Sequence, residues 1–381
     1  MKRICVITTS RADYGYLYWI MKDIESSDKL ELQIAYPCTH QCQEEIWNTF
    51  TNHNNHAVLG DMNGIYDIGQ FLNRCLEVYD ILKPDMILVL GDRFETLVAA
   101  TAALLLNIKI AHAHGGETTT GSFDDNIRNA ITMMADYHFT AHGKYTKRVK
   151  EMLMGSPAWN QHLHLDYDEY WTDKYKVYTI GSPGLDWLHR AKLLSKHELQ
   201  QYVNIDLNQP FIVACLHPVT KELEHTKHCI VSFLTAIAGT DEQIILIQPN
   251  CDPENKKIKE SIRYLKTGFD IKNDKRLCVV GNLDHIVYLS LLQYAEFMVG
   301  NSSSGIIESA LFNLPSVSVG NRQAGRIRGS NVFDCPCETE AILTAIDRAR
   351  EWNATVGKCE SPYGKGDSSE KIVKILEELL C

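Results

Sequence analysis

Residues 295–314 contain the pattern that most directly indicates chemistry. An apolar segment, residues 297–299, is followed at once by residues 300–308, which read GNSSSGIIE. This pattern predicts a strand that passes into a helix, and the first backbone N–H groups of a helix bind anions because they have no partner inside it. Glu308 lies about one helical turn further on, where its carboxylate suits a ribose diol while the N–H groups hold a diphosphate. The alternative is an ordinary turn with a serine helix cap.

Polar and charged side chains also follow several predicted strands or open the next helix. They form five runs: residues 10–15 (SRADYG), 91–95 (GDRFE), 112–117 (HAHGGE), 124–128 (DDNIR) and 216–220 (LHPVT). Open α/β sheets bind their ligands at the carboxyl ends of the strands. We therefore expect carboxylates, an imidazole and an arginine to converge on one crevice.

Several of these residues also have a purely structural interpretation. Asp13 and Asp124 suit helix caps, and Arg128 suits a surface ion pair worth at most about 1 kcal/mol. Asp92 suits a cap as well, although it follows residues 86–91, a strand expected to be buried on both faces.

A metal site is a further alternative. His112 and His114 occupy positions i and i+2 of one predicted strand, so they share a face and, with Asp92, have ligand types that suit a metal. The sequence offers no identifiable fourth ligand, and we predict no metal.

Composition limits the class of protein. The chain has 381 residues, 45% of them hydrophobic and 23% charged, which suits two domains with separate cores. No apolar run reaches the roughly 18 to 20 residues that span a bilayer, and strand-like residues 4–8 directly follow the N-terminus, so we expect a cytoplasmic protein without a signal peptide. The net charge of −10 argues against a nucleic-acid partner. Twelve cysteines without paired metal spacing predict free thiols.

Short apolar strands alternate with amphipathic helical segments, which predicts an α/β fold with two parallel sheets. The predicted strands are residues 4–8, 32–36, 86–90, 108–113, 137–140, 177–180, 211–215, 244–247, 277–280, 297–299 and 316–319. We place an N-terminal domain at residues 1–183, joined by a final helix within 367–381, and a C-terminal domain at 184–366, with residues 181–184 (GSPG) as the hinge. Residues 155–176, rich in aromatics and histidines, form an insertion that is either an exposed arm or subunit contact, or a loop over the site.

Seven runs in order, ending with residues 321–326 (NRQAGR), together resemble the hydrolysing UDP-N-acetylglucosamine 2-epimerases. Their order and spacing are similar to the branch that feeds sialic and legionaminic acid synthesis. The resemblance implies two Rossmann-like domains that face each other across a cleft, as in glycosyltransferase B, with the last helix crossing back to the first domain. It implies elimination of UDP from a sugar nucleotide and hydration of the glycal, without metal or nicotinamide cofactor. We further expect a homo-oligomer, dimer or tetramer, with no membrane partner.

The resemblance also implies roles for individual residues. The acid and base candidates are Asp92, Glu117, Asp124 and Asp125, whose mutual repulsion is expected to raise the pKa of at least one of them, and His217 serves the leaving phosphate. The residues expected to bind substrate or UDP are Arg11, Asp13, His40, Arg93, His114, Arg128, Ser302, Ser303, Ser304, Gly305, Glu308 and Arg322.

The sequence departs from the family pattern at the sugar end. Many relatives have glutamate where this chain has His114, the glycine usual before His40 is absent, and the motif Ile-Arg-His appears as residues 127–129 (IRN). The substrate is therefore open between UDP-N-acetylglucosamine and UDP-2,4-diacetamido-2,4,6-trideoxy-glucose. A glycosyltransferase of the same fold and a catalytically idle sugar-nucleotide sensor are the other functional hypotheses. The carboxylates around Asp92 favour the epimerase, because a sensor has no need to bury several like charges.

Overall fold

The structure is a computed structural model that describes residues 1–60, 65–119, 123–155, 176–217, 223–248, 275–281 and 283–381. The predicted insertion at 155–176, apart from its two end residues, and residues 218–220 of the histidine run lie outside this range. The described chain divides into two compact units. The first unit comprises residues 1–117, 124–189 and 363–381, and the second comprises 118–123 and 190–362. Each unit contains one parallel sheet with helices between its strands, so the predicted α/β class is confirmed.

The strands and helices follow one another in alternation through both units. The strands are β1 (Lys2–Ile7), β2 (Leu30–Tyr36), β3 (His56–Val58), β4 (Met86–Leu90), β5 (Lys109–Ala113), β6 (Tyr137–Thr140), β7 (Val177–Thr179), β8 (Phe211–Cys215), β9 (Gln243–Ile247), β10 (Leu277–Val280), β11 (Met298–Gly300), β12 (Ser316–Val319) and β13 (Val332–Cys335). The helices are α1 (Arg11–Glu25), α2 (Gln43–Thr49), α3 (Ile68–Leu82), α4 (Phe94–Leu105), α5 (Asp124–Met134), α6 (Gly143–Met154), α7 (Trp187–Arg190), α8 (Lys196–Leu199), α9 (Leu223–Ala238), α10 (His285–Tyr294), α11 (Thr339–Thr355) and α12 (Ser368–Leu380).

The first sheet has the strand order β3-β2-β1-β4-β5-β6-β7, and the second has the order β10-β9-β8-β11-β12-β13. Every pairing is parallel. All eleven predicted strands are present, with ends shifted by up to two residues. The sequence analysis missed two edge strands, β3 and β13, because each is only three or four residues long and carries polar residues.

Both faces of the first sheet are buried, which explains its nearly continuous apolar strands. Along β1, Ile4 and Val6 join a core cluster with α1 and α12, while Cys5 and Ile7 join a second cluster with α3 and α4. The second sheet has its own core, built mainly on β8, β12, α9 and α11. With both faces covered by helices, polar side chains with a chemical role are left to the strand ends.

The final helix, α12, packs against α1 within the first unit. A buried carboxylate fixes its start: Asp186, 1% exposed, accepts hydrogen bonds from the backbone N–H groups of Ser368 (3.0 Å) and Ser369 (2.7 Å). These are first-turn amides with no partner inside the helix, and a negative charge there is stabilised by the helix dipole. Asp186 thereby ties the end of the chain to the segment that follows β7.

The second unit contains a disulfide between Cys229 and Cys337, so the prediction of free thiols is wrong for these two residues. They are 108 residues apart in sequence, but α9 packs beside α11 and brings the two Cα atoms to 4.9 Å. Six further cysteines are free thiols, namely Cys5, Cys75, Cys215, Cys335, Cys359 and Cys381. Among the helices described, none combines the length and the apolar composition that a membrane crossing would require.

We expect Asp186→Asn to lower the free energy of unfolding by about 1–3 kcal/mol, because the amide nitrogen cannot accept and leaves a buried N–H group unsatisfied. The matched control is Asp367→Asn, since Asp367 lies at the same helix end in an exposed ion pair with Lys371 at 2.8 Å, worth less than about 1 kcal/mol. Urea denaturation followed by circular dichroism measures both. Equal losses in the two variants would contradict the capping role of Asp186.

Candidate functional site

In the first unit, the end of β1 holds a buried cluster around Asp13. The Asp13 carboxylate accepts hydrogen bonds from Thr9 N–H (2.9 Å), Thr9 Oγ1 (2.7 Å), Ser10 N–H (2.8 Å) and Thr8 Oγ1 (3.0 Å). With the Ser10 side chain it forms a capping box at the start of α1. Asp13 thus acts as a helix cap that shapes the turn before Arg11, and its direct contact with substrate stays a prediction.

His40 extends this cluster. Its Nδ1 accepts a hydrogen bond from the Cys42 N–H (3.0 Å), so its Nε2 carries the proton and donates to Thr8 Oγ1 (3.0 Å). Burial lowers the pKa of His40, while the nearby Asp13 opposes that shift. A neutral imidazole therefore lies behind the turn that presents Arg11, the partly exposed first residue of α1.

Arg128 is the central cation of the first unit. Its side chain is 2% exposed and forms ion pairs with Asp92 and with Asp125, the latter at 2.7 Å. It also donates to the backbone carbonyl of Glu117 at 2.9 Å. The guanidinium thereby links the ends of β4 and β5 to the start of α5, and the two carboxylates remain a quarter exposed. The alternative interpretation of Arg128 as a surface ion pair is wrong, because α5 turns this side chain into the protein interior.

His114 and Glu117 form a buried pair just beyond β5. The Nδ1 of His114 donates to Oε1 of Glu117 at 2.6 Å, and the two side chains are 7% and 1% exposed. The Nε2 of His114 lies 3.4 Å from Ser182 Oγ. With Nδ1 bonded to the carboxylate, Nε2 of a neutral ring presents its lone pair, which is the arrangement of a base oriented by a carboxylate.

The turn that carries this pair has a strict backbone requirement. His114 has a positive φ of 64°, and Gly116 has a φ of 78°. A Cβ atom on Gly116 would lie 2.6 Å from the carbonyl oxygen of Tyr145. Glycine therefore allows the turn to pack against α6, where Arg148 donates to the carbonyl of Glu117 (3.2 Å).

The prediction that His112 and His114 share a strand face is wrong, because β5 ends at Ala113. His112 is fully buried, donating from Nε2 to the carbonyl of Gly91 (2.8 Å) and accepting at Nδ1 from Thr132 (3.1 Å). Burial lowers its pKa to about 4. The described residues contain no group of three or more His, Cys, Asp or Glu side chains placed to hold a metal ion.

Two further predicted residues flank this region. Arg93 precedes α4 and pairs with Glu95, 2.9 Å apart. Asp124 is the first residue of α5 and is partly exposed, adjacent to Asp125. The first unit therefore brings together Asp92, Asp125 and Arg128 directly, with His114 and Glu117 joined to them through the Glu117 carbonyl.

In the second unit, residues 303–312 form two short 3-10 helices, Ser303–Gly305 and Ser309–Phe312, so the single helix predicted there is wrong. The hydroxyl of Ser302 accepts from the N–H of Ser304 (3.4 Å), and such side-chain bonds compete with α-helical ones. Glu308 lies at the junction of the two turns and is 1% exposed. Its carboxylate is therefore buried beside a serine-rich turn and not on a continuous helix.

His217 follows β8 and is held mainly through its backbone. Its N–H donates to Oδ1 of Asn301 (2.6 Å), and its carbonyl accepts from Nδ2 of Asn301 (2.8 Å). The imidazole Nε2 lies 3.4 Å from Cys215 Sγ, and Nδ1 has no partner among the described residues. Burial, with a smaller contribution from Arg322, lowers the pKa of His217 to about 3, so the ring is neutral.

Three polar residues of the second unit have no role in the sequence analysis. Asn301 and Gln323 were part of motifs but had no assigned function, while Tyr288 was missed. Gln323 Nε2 and Arg322 Nη1 both donate to the Asn301 carbonyl, at 2.8 and 3.2 Å. Burial raises the pKa of Tyr288 well above its usual value, and the neighbouring Ser302 and Ser304 oppose this shift. The sequence signals for the first two are an asparagine directly after an apolar strand that ends in glycine and the run at residues 321–326.

The comparisons with known proteins all indicate one family. A family profile described as UDP-N-acetylglucosamine 2-epimerase matches residues 23–377. A Legionella pneumophila protein named UDP-N,N'-diacetylbacillosamine 2-epimerase (hydrolyzing) is 30% identical over 100% of this chain and 96% of its own. A Neisseria meningitidis UDP-N-acetylglucosamine 2-epimerase is 29% identical over 99% and 95% of the two chains.

The fold is shared with solved structures. The crystal structure of UDP-GlcNAc 2-epimerase from Neisseria meningitidis bound to UDP-GlcNAc aligns with a TM-score of 0.76 at 16% identity, covering 99% of this chain and all of that one. At this identity the similarity shows the fold alone.

We expect Arg128→Met to lower the free energy of unfolding by about 2–4 kcal/mol, because it leaves two carboxylates and a backbone carbonyl without their buried cation. The control is Arg74→Met, which removes an exposed pair with Glu77 at 2.9 Å and is expected to cost under about 1 kcal/mol. Chemical denaturation of both variants provides the comparison. An Arg128 variant as stable as the Arg74 variant would show that the buried cation does not organise this region.

Proposed function

Because the chain belongs to the UDP-N-acetylglucosamine 2-epimerase family, we propose that it is a hydrolysing 2-epimerase. The reaction converts a UDP-N-acetylglucosamine-type sugar nucleotide into UDP and the free N-acetyl sugar of inverted configuration at carbon 2, a precursor for nonulosonic acids such as sialic or legionaminic acid. The relative from Legionella pneumophila, which this chain matches over its full length, is named as hydrolysing.

The observation that carries this proposal is the group of acids organised by Arg128. Asp92 and Asp125 pair with its guanidinium, and Glu117 lies buried against His114. Burying several acids near one another is unfavourable, and proteins retain such groups mainly where proton transfer needs them. Neither nucleotide binding nor sugar transfer alone requires proton exchange at a carbon atom.

The proposed reaction has two steps. In the first, a base removes the proton from carbon 2, the C–H electrons form the double bond between carbons 1 and 2, and the C1–O bond breaks to release UDP. In the second, water adds a hydroxyl to carbon 1 and gives its other proton to a base, while an acid donates a proton to carbon 2. Inversion needs proton transfer on two opposite faces of the ring, so at least two groups take part. We assign Asp92 to one face and the His114–Glu117 pair to the other, with Asp124 and Asp125 beside them.

The second unit supplies nucleotide binding in this proposal. Arg322 and the backbone and hydroxyls of Ser302, Ser303, Ser304 and Gly305 hold the diphosphate. Glu308 holds the ribose. His217 is neutral in the free protein, because burial and Arg322 keep its pKa low. A bound diphosphate is an opposite charge that favours the protonated ring, so His217 becomes a better hydrogen-bond donor as negative charge develops on the leaving group.

The same reaction on UDP-2,4-diacetamido-2,4,6-trideoxy-glucose is a second candidate. The 30% identical relative is named for UDP-N,N'-diacetylbacillosamine, whereas the Neisseria relative of 29% identity is named for UDP-N-acetylglucosamine. Both substrates present the same carbon 2 and the same diphosphate, so the assigned residues serve either one. The two sugars differ at carbons 4 and 6, and a direct assay with each sugar nucleotide distinguishes the two candidate substrates.

Incubation with each UDP-sugar in heavy water tests the function. We expect release of UDP and of a free sugar in equal amounts, with deuterium at carbon 2 seen by NMR, because the proton that returns comes from solvent through an acid. A transferase would leave carbon 2 without deuterium. Deuterium in a product still attached to UDP would contradict the hydrolysing assignment.

We expect Asp92→Asn and His217→Ala each to reduce turnover by at least roughly 10²-fold, the typical contribution of a general acid or base. Their effects should differ when the glycal is supplied directly. Hydration bypasses departure of the phosphate, so His217→Ala should lose less in this half-reaction, whereas Asp92→Asn should stay impaired.

Exposed residues of the same types serve as controls, namely Asp80→Asn and His197→Ala. Both should retain turnover in the full reaction and in the hydration half-reaction. Equal losses for Asp92→Asn and His217→Ala in both assays would show that their roles are assigned wrongly.

A further inference from the structure

Asn301 lies directly after β11 and is 2% exposed. Its side-chain amide pairs with the backbone of His217 in both directions, accepting from the His217 N–H at 2.6 Å and donating to the His217 carbonyl at 2.8 Å. Two hydrogen bonds to one residue fix both its position and its rotation, as a neighbouring strand would. The sheet itself does not supply these two hydrogen bonds, because β8 ends at Cys215 and β11 ends at Gly300.

The main-chain N–H and carbonyl of Asn301 are also hydrogen-bonded. Its N–H donates to the carbonyl of Cys215 (3.1 Å), and its own carbonyl accepts from Arg322 (3.2 Å) and Gln323 (2.8 Å). The close approach of this backbone to Cys215 depends on Gly300, since a Cβ atom on Gly300 would lie 1.8 Å from the Cys215 carbonyl oxygen. One residue therefore connects the segments that follow β8, β11 and β12.

We propose that Asn301 is a positioning residue: its carboxamide holds His217 in the orientation that serves the leaving phosphate, and its main-chain carbonyl holds Arg322 beside the same phosphate. The action of His217 on the leaving phosphate rests on the proposed function, whereas the positioning of His217 by Asn301 does not. The side chain acts on His217 alone, and the main chain acts on Arg322.

This division of roles makes the proposal testable. Asn301→Ala removes the carboxamide but keeps the carbonyl that binds Arg322, so we expect kcat to fall by about 10- to 100-fold while the Kd for UDP changes less than about threefold. In a His217→Ala background, Asn301→Ala should cause no further loss of kcat, because residues that act as a unit are not additive. Asn301→Asp keeps the acceptor for the His217 N–H and should recover part of the lost turnover.

A matched control separates positioning from general destabilisation. Asn331 is another fully buried asparagine of the second unit, and its Nδ2 donates to Ser309 Oγ (3.0 Å) and to the Leu314 carbonyl (2.7 Å). Asn331→Ala should lower the unfolding temperature as Asn301→Ala does. Its effect on kcat should be small and equal in the wild-type and His217→Ala backgrounds.

A second measurement does not depend on turnover. The His217 ring faces the Cys215 thiol and Arg322, and in the wild type its NMR signals should stay those of a neutral imidazole throughout the mildly acidic range. In Asn301→Ala the ring is released toward solvent, so its signals should titrate nearer the ordinary histidine value of about 6.5.

The outcomes separate the two claims. An inactive wild type with an altered His217 titration in Asn301→Ala would overturn the proposed function and retain the positioning role. Equal loss of kcat in both backgrounds, or an unchanged His217 titration, would overturn the positioning role itself.

Discussion

Buried backbone polar groups at the ends of parallel strands must find hydrogen-bond partners, and this constraint shapes both units. The sheet satisfies these groups only as far as each strand runs. Beyond that point side chains take over: Asp13 accepts from two backbone N–H groups, Arg128 donates to a carbonyl, and Asn301 pairs with both groups of His217. The candidate catalytic residues are therefore built into the scaffold that closes the strand ends.

This arrangement explains the electrostatic contrast between the units. In the first, one buried cation, Arg128, holds two partly exposed carboxylates, and a third acid is paired with His114. In the second, the imidazole of His217 is kept neutral by burial and by Arg322. The acids proposed to exchange protons and the donors proposed to bind a phosphate thus lie on separate sheets, each with its own hydrogen-bond network.

The second requirement of this structure is that backbone segments approach each other closely at two glycines. Gly116 allows the turn with His114 and Glu117 to pack on α6, and Gly300 allows β11 to meet the end of β8. In both places a side chain would displace the backbone that carries a functional residue. The glycines of these motifs therefore serve the geometry of their neighbours and need not touch a ligand.

The sequence alone determined the α/β class, eleven of the thirteen strands described and the segments in which the candidate site residues occur. These features follow from local apolar runs and from the rule that chemistry lies at the carboxyl ends of strands. Tertiary structure alone decided which partner each polar residue has. The inward position of Arg128, the pairing of Asn301 with His217 and the Cys229–Cys337 disulfide all join segments distant in sequence. Residue type and spacing carry no information on such contacts, because packing of helices on the sheet brings these segments together. At residues 303–312 two short 3-10 helices stand in place of the predicted helix, next to the hydrogen bond from the Ser304 N–H to the Ser302 hydroxyl.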